Sequence, residues 1–360
     1  MDTEERVGIV QGIGEEIITA DELREVFETT KNPVAYDGFE PSGLATMPFG
    51  VFRPLVFKEL MKTGIKFIFF LADWHAWINN KMGGDIEKIR KVGEYFIEVW
   101  RAAGIEKNAQ FVWASDIMDQ EYWKKVVLIA KNTSVKRATR ALTIMGRKEG
   151  EMIEVAQYFY PMMQTADIFQ LDVDITQLGL DQRRANILAR EVAPQLGWKK
   201  PVVISHHMLM GLQGVKEPEG FDIEKKKDIQ IASKMSKSRP QTAIFVHDSK
   251  EEIGKKIGKA FCEQKNIENN PILDYTKHII FRAFDSFTIQ REQKFGGEVT
   301  FENYEDLELA FWKGKLHPQD LKPAVAEKLD ELVAPIRTHF ETNKRAKELY
   351  EFVKKQDVTR

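Results

Sequence analysis

Residues 65–73 read IKFIFFLAD, with six apolar residues in succession from Phe67 to Ala72. A strand with one wet face alternates apolar and polar side chains; this one does not, so both of its faces need cover. Such strands belong to parallel sheets with helices on both sides. VAYDGF at 34–39, NAQFVWAS at 108–115 and KPVVIS at 200–205 are further predicted strands, and helices are predicted near 85–103, 120–130, 151–171 and 181–195. That alternation is the pattern of βαβ units. The α/β part is expected to end within 215–240, where GVKEPEGFDIEKKKD is polar and charged.

Beyond 250 the chain turns to helix formers. SKEEIGKKIGKAFC opens with a serine followed by acids, a helix-start pattern. Val325, Leu329, Leu332, Ile336 and Phe340 recur at three- and four-residue spacings, and Leu349 with Val353 continues them. One apolar stripe on successive helical segments predicts a helical second domain.

With 360 residues, 43% hydrophobic and 30% charged, the chain can bury the cores of two such domains. A formal charge of −2 gives no global mark of nucleic-acid binding, yet 225–265 holds eleven Lys/Arg against five Asp/Glu. The one cysteine, Cys262, excludes an intrachain disulfide framework and a cysteine-rich metal cluster. His206 and His207 have no ligand set near them in sequence, so no metal, zinc included, is expected. The opening MDTEERVGIV is acidic and lacks a long apolar run, so neither a signal peptide nor a membrane span is expected, and a cytoplasmic protein is.

Two segments carry candidate chemistry. In YFYPMMQTADIFQL, Tyr160, Gln164 and Asp167 are spaced i, i+4 and i+7, on one side of a helix if Pro161 falls in its first turn. The row is either a wet helix surface or a binding face. A phenol can give its proton to the carboxylate, and an ammonium finds acceptors in the tyrosine and the glutamine. Tyr36, at the carboxyl end of a predicted strand, is where open α/β sheets bind ligands. The second segment is KMSKS at 234–238, either a wet loop or a grip for the phosphates of ATP.

With these segments in place, the chain resembles class I tyrosyl-tRNA synthetases of the archaeal and eukaryotic type. The resemblance runs over roughly 18–345, through YDGFEPSG at 36–43, LADWHAW at 71–77, YPMMQTAD at 160–167 and GLDQRR at 179–184. It continues through KMSKS, ENNPIL at 268–273, KFGGE at 294–298 and LHPQDLKPAVA at 316–326. It implies a Rossmann-like nucleotide-binding domain with a parallel sheet over 1–232, including a dimerisation insertion. The KMSKS loop and a mostly helical anticodon-binding domain would follow over 233–360. The implied activity is activation of L-tyrosine by ATP with Mg²⁺ and transfer of tyrosine to its tRNA by a homodimer.

The resemblance also implies roles. Tyr36 and Asp167 would contact the phenolic hydroxyl of tyrosine, Tyr160, Gln164 and Gln182 its ammonium, and His75 would line the pocket. Lys234 and Lys237 would stabilise charge on the β- and γ-phosphates. Gly43, Gly50, Asp181, Met235, Ser236 and Ser238 would complete the ATP site, Asp181 at the ribose. Phe295, His317 and Asp320 would read the first anticodon base, although each could equally be a packing or capping group.

One departure stands out. The family's first ATP signature has two histidines, and here the positions are Thr46, Met47, Pro48 and Phe49. Thr46 can still donate a hydrogen bond, and Gly50 is expected to restore close approach to the nucleotide. Two rivals therefore stay open: a tryptophan-specific relative, and a non-catalytic tRNA-binding relative. The polar stretch at 215–232 would lengthen the signature loop, touch RNA through Lys225, Lys226 and Lys227, or simply be solvated.

Overall fold

The computed structural model describes residues 1–105, 109–146, 154–215, 225–237 and 239–356, with backbone alone at 225–228. Six strands form one sheet: β1 (Gly14–Ile18), β2 (Val34–Phe39), β3 (Lys66–Leu71), β4 (Ala109–Trp113), β5 (Ile175–Gly179) and β6 (Val202–His206). Their order is β1-β6-β5-β2-β3-β4, all parallel except β1, which runs antiparallel along β6. The expected α/β layout holds, with β1 and β5 added to the predicted strands.

The unbroken apolar run is buried on both sides, as its lack of alternation requires. Phe67, Phe69 and Leu71 enter one core cluster, while Ile68 and Phe70 enter another with Tyr36, Ile168 and Leu178. Period two in β2 likewise sends Ala35 and Phe39 to the first face and Tyr36 to the second. Tyr36 therefore lies on the face covered by the helix Phe159–Gln170, which carries Ile168. The chain builds β2, β3 and β4 outward, then returns to β5 on the other side of β2. That reversal opens a crevice past the carboxyl ends of β2 and β5.

Pro161 is the third residue of the helix Phe159–Gln170, where its missing N–H costs no hydrogen bond. The helices Lys250–Lys259, capped by Ser249 with Glu252, Pro318–Thr342 and Lys344–Lys354 form most of the carboxyl-terminal part. A small hairpin, Phe287–Ile289 with Val299–Phe301, joins them. The predicted stripe is buried at Val325, Leu329, Ile336 and Phe340, with Val333 rather than Leu332 at its centre. Among the described residues, no helix is long and apolar enough to cross a membrane.

Candidate active site

The crevice is a cleft of about 770 Å³ whose lining includes Tyr36, Glu40, Thr46, His75, Tyr160, Gln164, Asp167, Asp181, Gln182, Lys234 and Lys237. Its apolar end converges on Asp167. Tyr122, from the helix Gln120–Lys131, donates to Asp167 Oδ1 at 2.8 Å, and His75 Nε2 lies 3.1 Å from Oδ2. Burial opposes charge on His75, but Asp167, then Glu40 and Asp73, raise its pKa overall. The Tyr36 hydroxyl is buried without a hydrogen bond of good geometry, and burial together with the charge of Asp167 lifts its pKa well up against the opposing effect of the nearby Gln164 amide. Tyr36 thus stays a neutral phenol beside a carboxylate, and its buried oxygen lacks a bond that a ligand hydroxyl can supply.

The next stretch of the cleft is rich in acceptors. Tyr160 donates to Glu40 Oε1 at 2.6 Å, which leaves its oxygen as an acceptor. Gln164 Nε2 donates to Gln182 Oε1 at 3.1 Å, so the carbonyl oxygen of Gln164 is left to accept; Gln182 in turn donates to the Ile144 carbonyl. Asn79 Nδ2 holds Glu40 from the far side at 2.9 Å. These oxygens suit an ammonium group.

The far end is cationic. Lys234 is ion-paired with Asp181, and Lys237 Nζ donates to Ser42 Oγ at 3.2 Å, above the ring of Phe96. Burial lowers the Lys237 pKa to about 7, Lys81 adds to the effect and Glu40 opposes it. Met235 is buried, and its N–H donates to the Leu209 carbonyl at 2.8 Å, which fastens the KMSKS segment to the chain after β6. Ser236 also lines the cleft, and Ser238 lies outside the described residues.

The sequence pattern of the tRNA synthetases class I (W and Y) matches residues 28–220 and 223–334. The chain belongs to this family. It is 42% identical to tyrosine–tRNA ligase 1, cytoplasmic, of Arabidopsis thaliana over all of this chain and 90% of that protein. It is 44% identical to the tyrosine–tRNA ligase of Pyrococcus abyssi over 98% of this chain and 99% of that one. The crystal structure of the Pyrococcus horikoshii tyrosyl-tRNA synthetase complexed with L-tyrosine superposes with a TM-score of 0.89 at 43% identity, covering 98% of this chain and 100% of that one.

Against the family pattern, the altered first signature acquires a physical account. Residues Pro48–Phe52 form a wide π-type turn that runs into the helix Arg53–Lys62, with Pro48 at its first position. Phe49 packs on Phe96 at 4.3 Å, Trp100 at 4.6 Å and Phe39 at 5.4 Å between ring centres. It makes the cleft wall an extension of the core. The expectation for Gly50 is corrected: a Cβ there would meet Val246 Cγ1 at 2.4 Å and Val99 Cγ1 at 3.1 Å, so the glycine serves core packing. Gly43 is likewise absent from the lining; its φ of +112° shapes the turn beside Ser42, which does line the cleft. Thr46 lines the cleft.

An acid and a phenol at the site, Glu40 and Tyr122, have no role in the sequence reading, nor has Asp274 outside the cleft. Glu40 stands in the quoted YDGFEPSG, one residue past β2, a position that marks ligand sites in such sheets. His207 does have acidic neighbours. Its Nε2 lies 2.7 Å from Asp274, its Nδ1 3.3 Å from Glu15, and its ring stacks on His278 at 3.9 Å. His207, Asp274 and His278 bring ligand atoms within 4.8 Å of one another. Burial disfavours the imidazolium, but Asp274 and Glu15 raise His207 to about 9, so the group is an ion-paired clasp between β6 and the helix Pro271–Tyr275. His206 is buried against Gln177 at 3.0 Å and faces the cleft.

In the carboxyl-terminal part, Phe295 is 58% exposed in the turn between the hairpin strands. His317 caps the helix Pro318–Thr342 by accepting from the Gln319 N–H at 3.1 Å, and Asp320 lies in the first turn. Arg291 bonds both the Gly297 and Lys315 carbonyls, which brings the Phe295 turn near His317. The side chains of Lys225, Lys226 and Lys227, and all of 216–224, lie outside the described residues.

Proposed function

We propose that the chain is a tyrosine–tRNA ligase whose cleft seats tyrosine with its phenol between Tyr36 and Asp167 and its ammonium among Tyr160, Gln164 and Gln182. The observation that carries this reading is the buried Tyr36 hydroxyl, without a hydrogen bond of good geometry, beside a carboxylate already held by Tyr122 and His75. A ring without a hydroxyl leaves that polar pair unsatisfied, and sites of this kind reject such an analogue by roughly 10⁴–10⁵.

The carboxylate of tyrosine attacks the α-phosphorus of ATP in line, and pyrophosphate leaves. The terminal ribose hydroxyl of the tRNA then attacks the mixed anhydride, forming the aminoacyl ester and releasing AMP. The first step calls for alignment and neutralisation of charge rather than a protein nucleophile. Lys234 and Lys237 meet the phosphates, Asp181 takes the ribose, and Ser42 and Thr46 flank the turn. The other carboxylates of the cleft are committed: Glu40 to Tyr160 and Asn79, Asp37 to Arg53 and Asp167 to Tyr122. Mg²⁺ therefore enters as part of the nucleotide substrate.

Phe295, His317 and Asp320 read the first anticodon base, where an exposed ring can stack and a carboxylate can accept from guanine. Exposed Trp77, Val127, Val135, Val155 and Phe159 lie in or beside the insertion between β4 and β5 and support a homodimer. Residues 1–232 supply catalysis and 233–360 the signature loop and anticodon surface of a cytoplasmic enzyme.

Tyrosine-dependent ATP–pyrophosphate exchange, run with tyrosine, phenylalanine and tryptophan and followed by charging of tRNA, tests this reading. Exchange with tyrosine alone is expected. The altered first signature favours a second reading, a tRNA-binding relative without activation, and tRNA binding with no exchange would establish it.

A further inference from the structure

The turn that lacks both signature histidines is held from outside. Ala45 N–H donates to the Tyr95 hydroxyl at 3.1 Å, Val246 N–H donates to the Ala45 carbonyl at 3.1 Å, and Met47 N–H donates to the Ile244 carbonyl at 2.7 Å. Thr46, which lines the cleft, lies between these ties. Tyr95 is fully buried on the helix Ile86–Ala102. Because its oxygen accepts from Ala45, its proton is free to be given away, and His247 Nε2 stands 2.8 Å off.

That bond requires a neutral imidazole with its proton on Nδ1. Burial, reinforced by Lys354 and Arg337, pushes His247 down to about 3, so the ring is neutral at working pH. The ring is fixed as well, stacked on Tyr350 at 3.9 Å and edge-on to Phe340 at 4.8 Å. A buried phenol is thus aimed at one backbone amide by a histidine that the last two helices hold still.

We propose that Tyr95 is a positioning residue for ATP: oriented by His247, it fixes the Ala45 amide and with it the Thr46 turn against which the nucleotide lies. The proposal rests on the reading of that turn as part of the ATP site. It accounts for how the turn that begins at Pro48 keeps one geometry. Small misplacements at a reacting site are costly, and an amide left unbonded in the core is costly too.

Tyr95→Phe keeps the ring and removes only the oxygen. Three quantities are measured: ATP affinity by titration calorimetry, and KM for ATP and KM for tyrosine in pyrophosphate exchange. ATP affinity is expected to fall about tenfold while the KM for tyrosine stays within about twofold. His247→Phe keeps a ring on Tyr350 and removes the acceptor, so it should weaken ATP in the same selective way. The double variant should be no worse than Tyr95→Phe, because the histidine acts only through the phenol. Unchanged ATP affinity in Tyr95→Phe, or equal weakening of ATP and tyrosine, would overturn the proposal. If Tyr95→Phe does not fold, His247→Phe decides on the same split. Absence of exchange in the parent protein would undo the proposed function, whereas calorimetry with ATP still decides the role of Tyr95.

Discussion

Tyr122 gives its phenolic proton to Asp167 at 2.8 Å, and so presets the carboxylate that faces Tyr36. The same hydroxyl lies 3.1 Å from the Met163 carbonyl, so the phenol ties two points of one helix. Burial and the charge of Asp167 both hold Tyr122 in its protonated form. Tyr122→Phe leaves the carboxylate one donor short and freer to turn. The KM for tyrosine is expected to rise about five- to tenfold with the KM for ATP unchanged, as steady-state exchange kinetics will show.

Asp167→Ala removes the acceptor itself. The preference for tyrosine over phenylalanine, roughly 10⁴–10⁵ for a site of this type, should collapse by at least about 100-fold. The loss should appear in kcat/KM for tyrosine, with phenylalanine little affected. Preserved discrimination in paired exchange assays would remove Asp167 from phenol recognition.

How much of this was legible beforehand follows from distance along the chain. The row of Tyr160, Gln164 and Asp167 could be read because helical spacing is written locally. β3 could be read because an unbroken apolar run needs cover on both faces. β5 could not: ITQLG is five residues long with Thr176 and Gln177 at its centre, and both are buried by packing that the segment does not encode. Tyr122 sits in an ordinary amphipathic helix, and only the fold brings it to Asp167. The packing at Gly50 is not legible locally, because its neighbour Val246 comes from the segment after KMSKS.

Lys237 makes the site sensitive to pH. Its pKa in the folded chain is about 7, down from 10.5 chiefly through burial. Between those values the folded chain binds fewer protons there than the unfolded chain, so this lysine's contribution favours folding as pH rises through the window. Below about 7 the penalty is complete and constant. The Tm of the parent, relative to Lys237→Met, is therefore expected to climb from pH 7 to pH 10. Phosphate drawn to Lys237 favours the ammonium, so ATP binding at pH 8 should take up a proton, measurable by calorimetry in buffers of different ionisation enthalpy.

Lys237→Ala is expected to slow adenylate formation about 10²- to 10³-fold, the usual cost of removing one preorganised charge partner. Tyrosine affinity should be unchanged, since the lysine lies at the proposed phosphate end. Rapid-quench measurement of the first turnover checks both. A full exchange rate in this variant would end the assignment of Lys237 to phosphate stabilisation.

Gly50→Ala places a methyl 2.4 Å from Val246 Cγ1. Overpacking of that degree destabilises by about 1–3 kcal/mol. Thermal unfolding should show the loss, and Val246→Ala in the same chain should recover most of it. A gain in stability from Gly50→Ala alone would mean that the turn had room.

Phe49 has a consequence for how the enzyme lives with heat. The ring that stands in the cleft where an imidazole is expected is also a keystone of the stack of Phe39, Phe96 and Trp100. A nucleotide seated as proposed would lean on it and brace the interior, and loosening of the interior would deform that seat. Substrate grip and resistance to melting would then be one mechanical property, so ATP should protect this chain as it warms, and the ability to hold ATP should fail together with the stack.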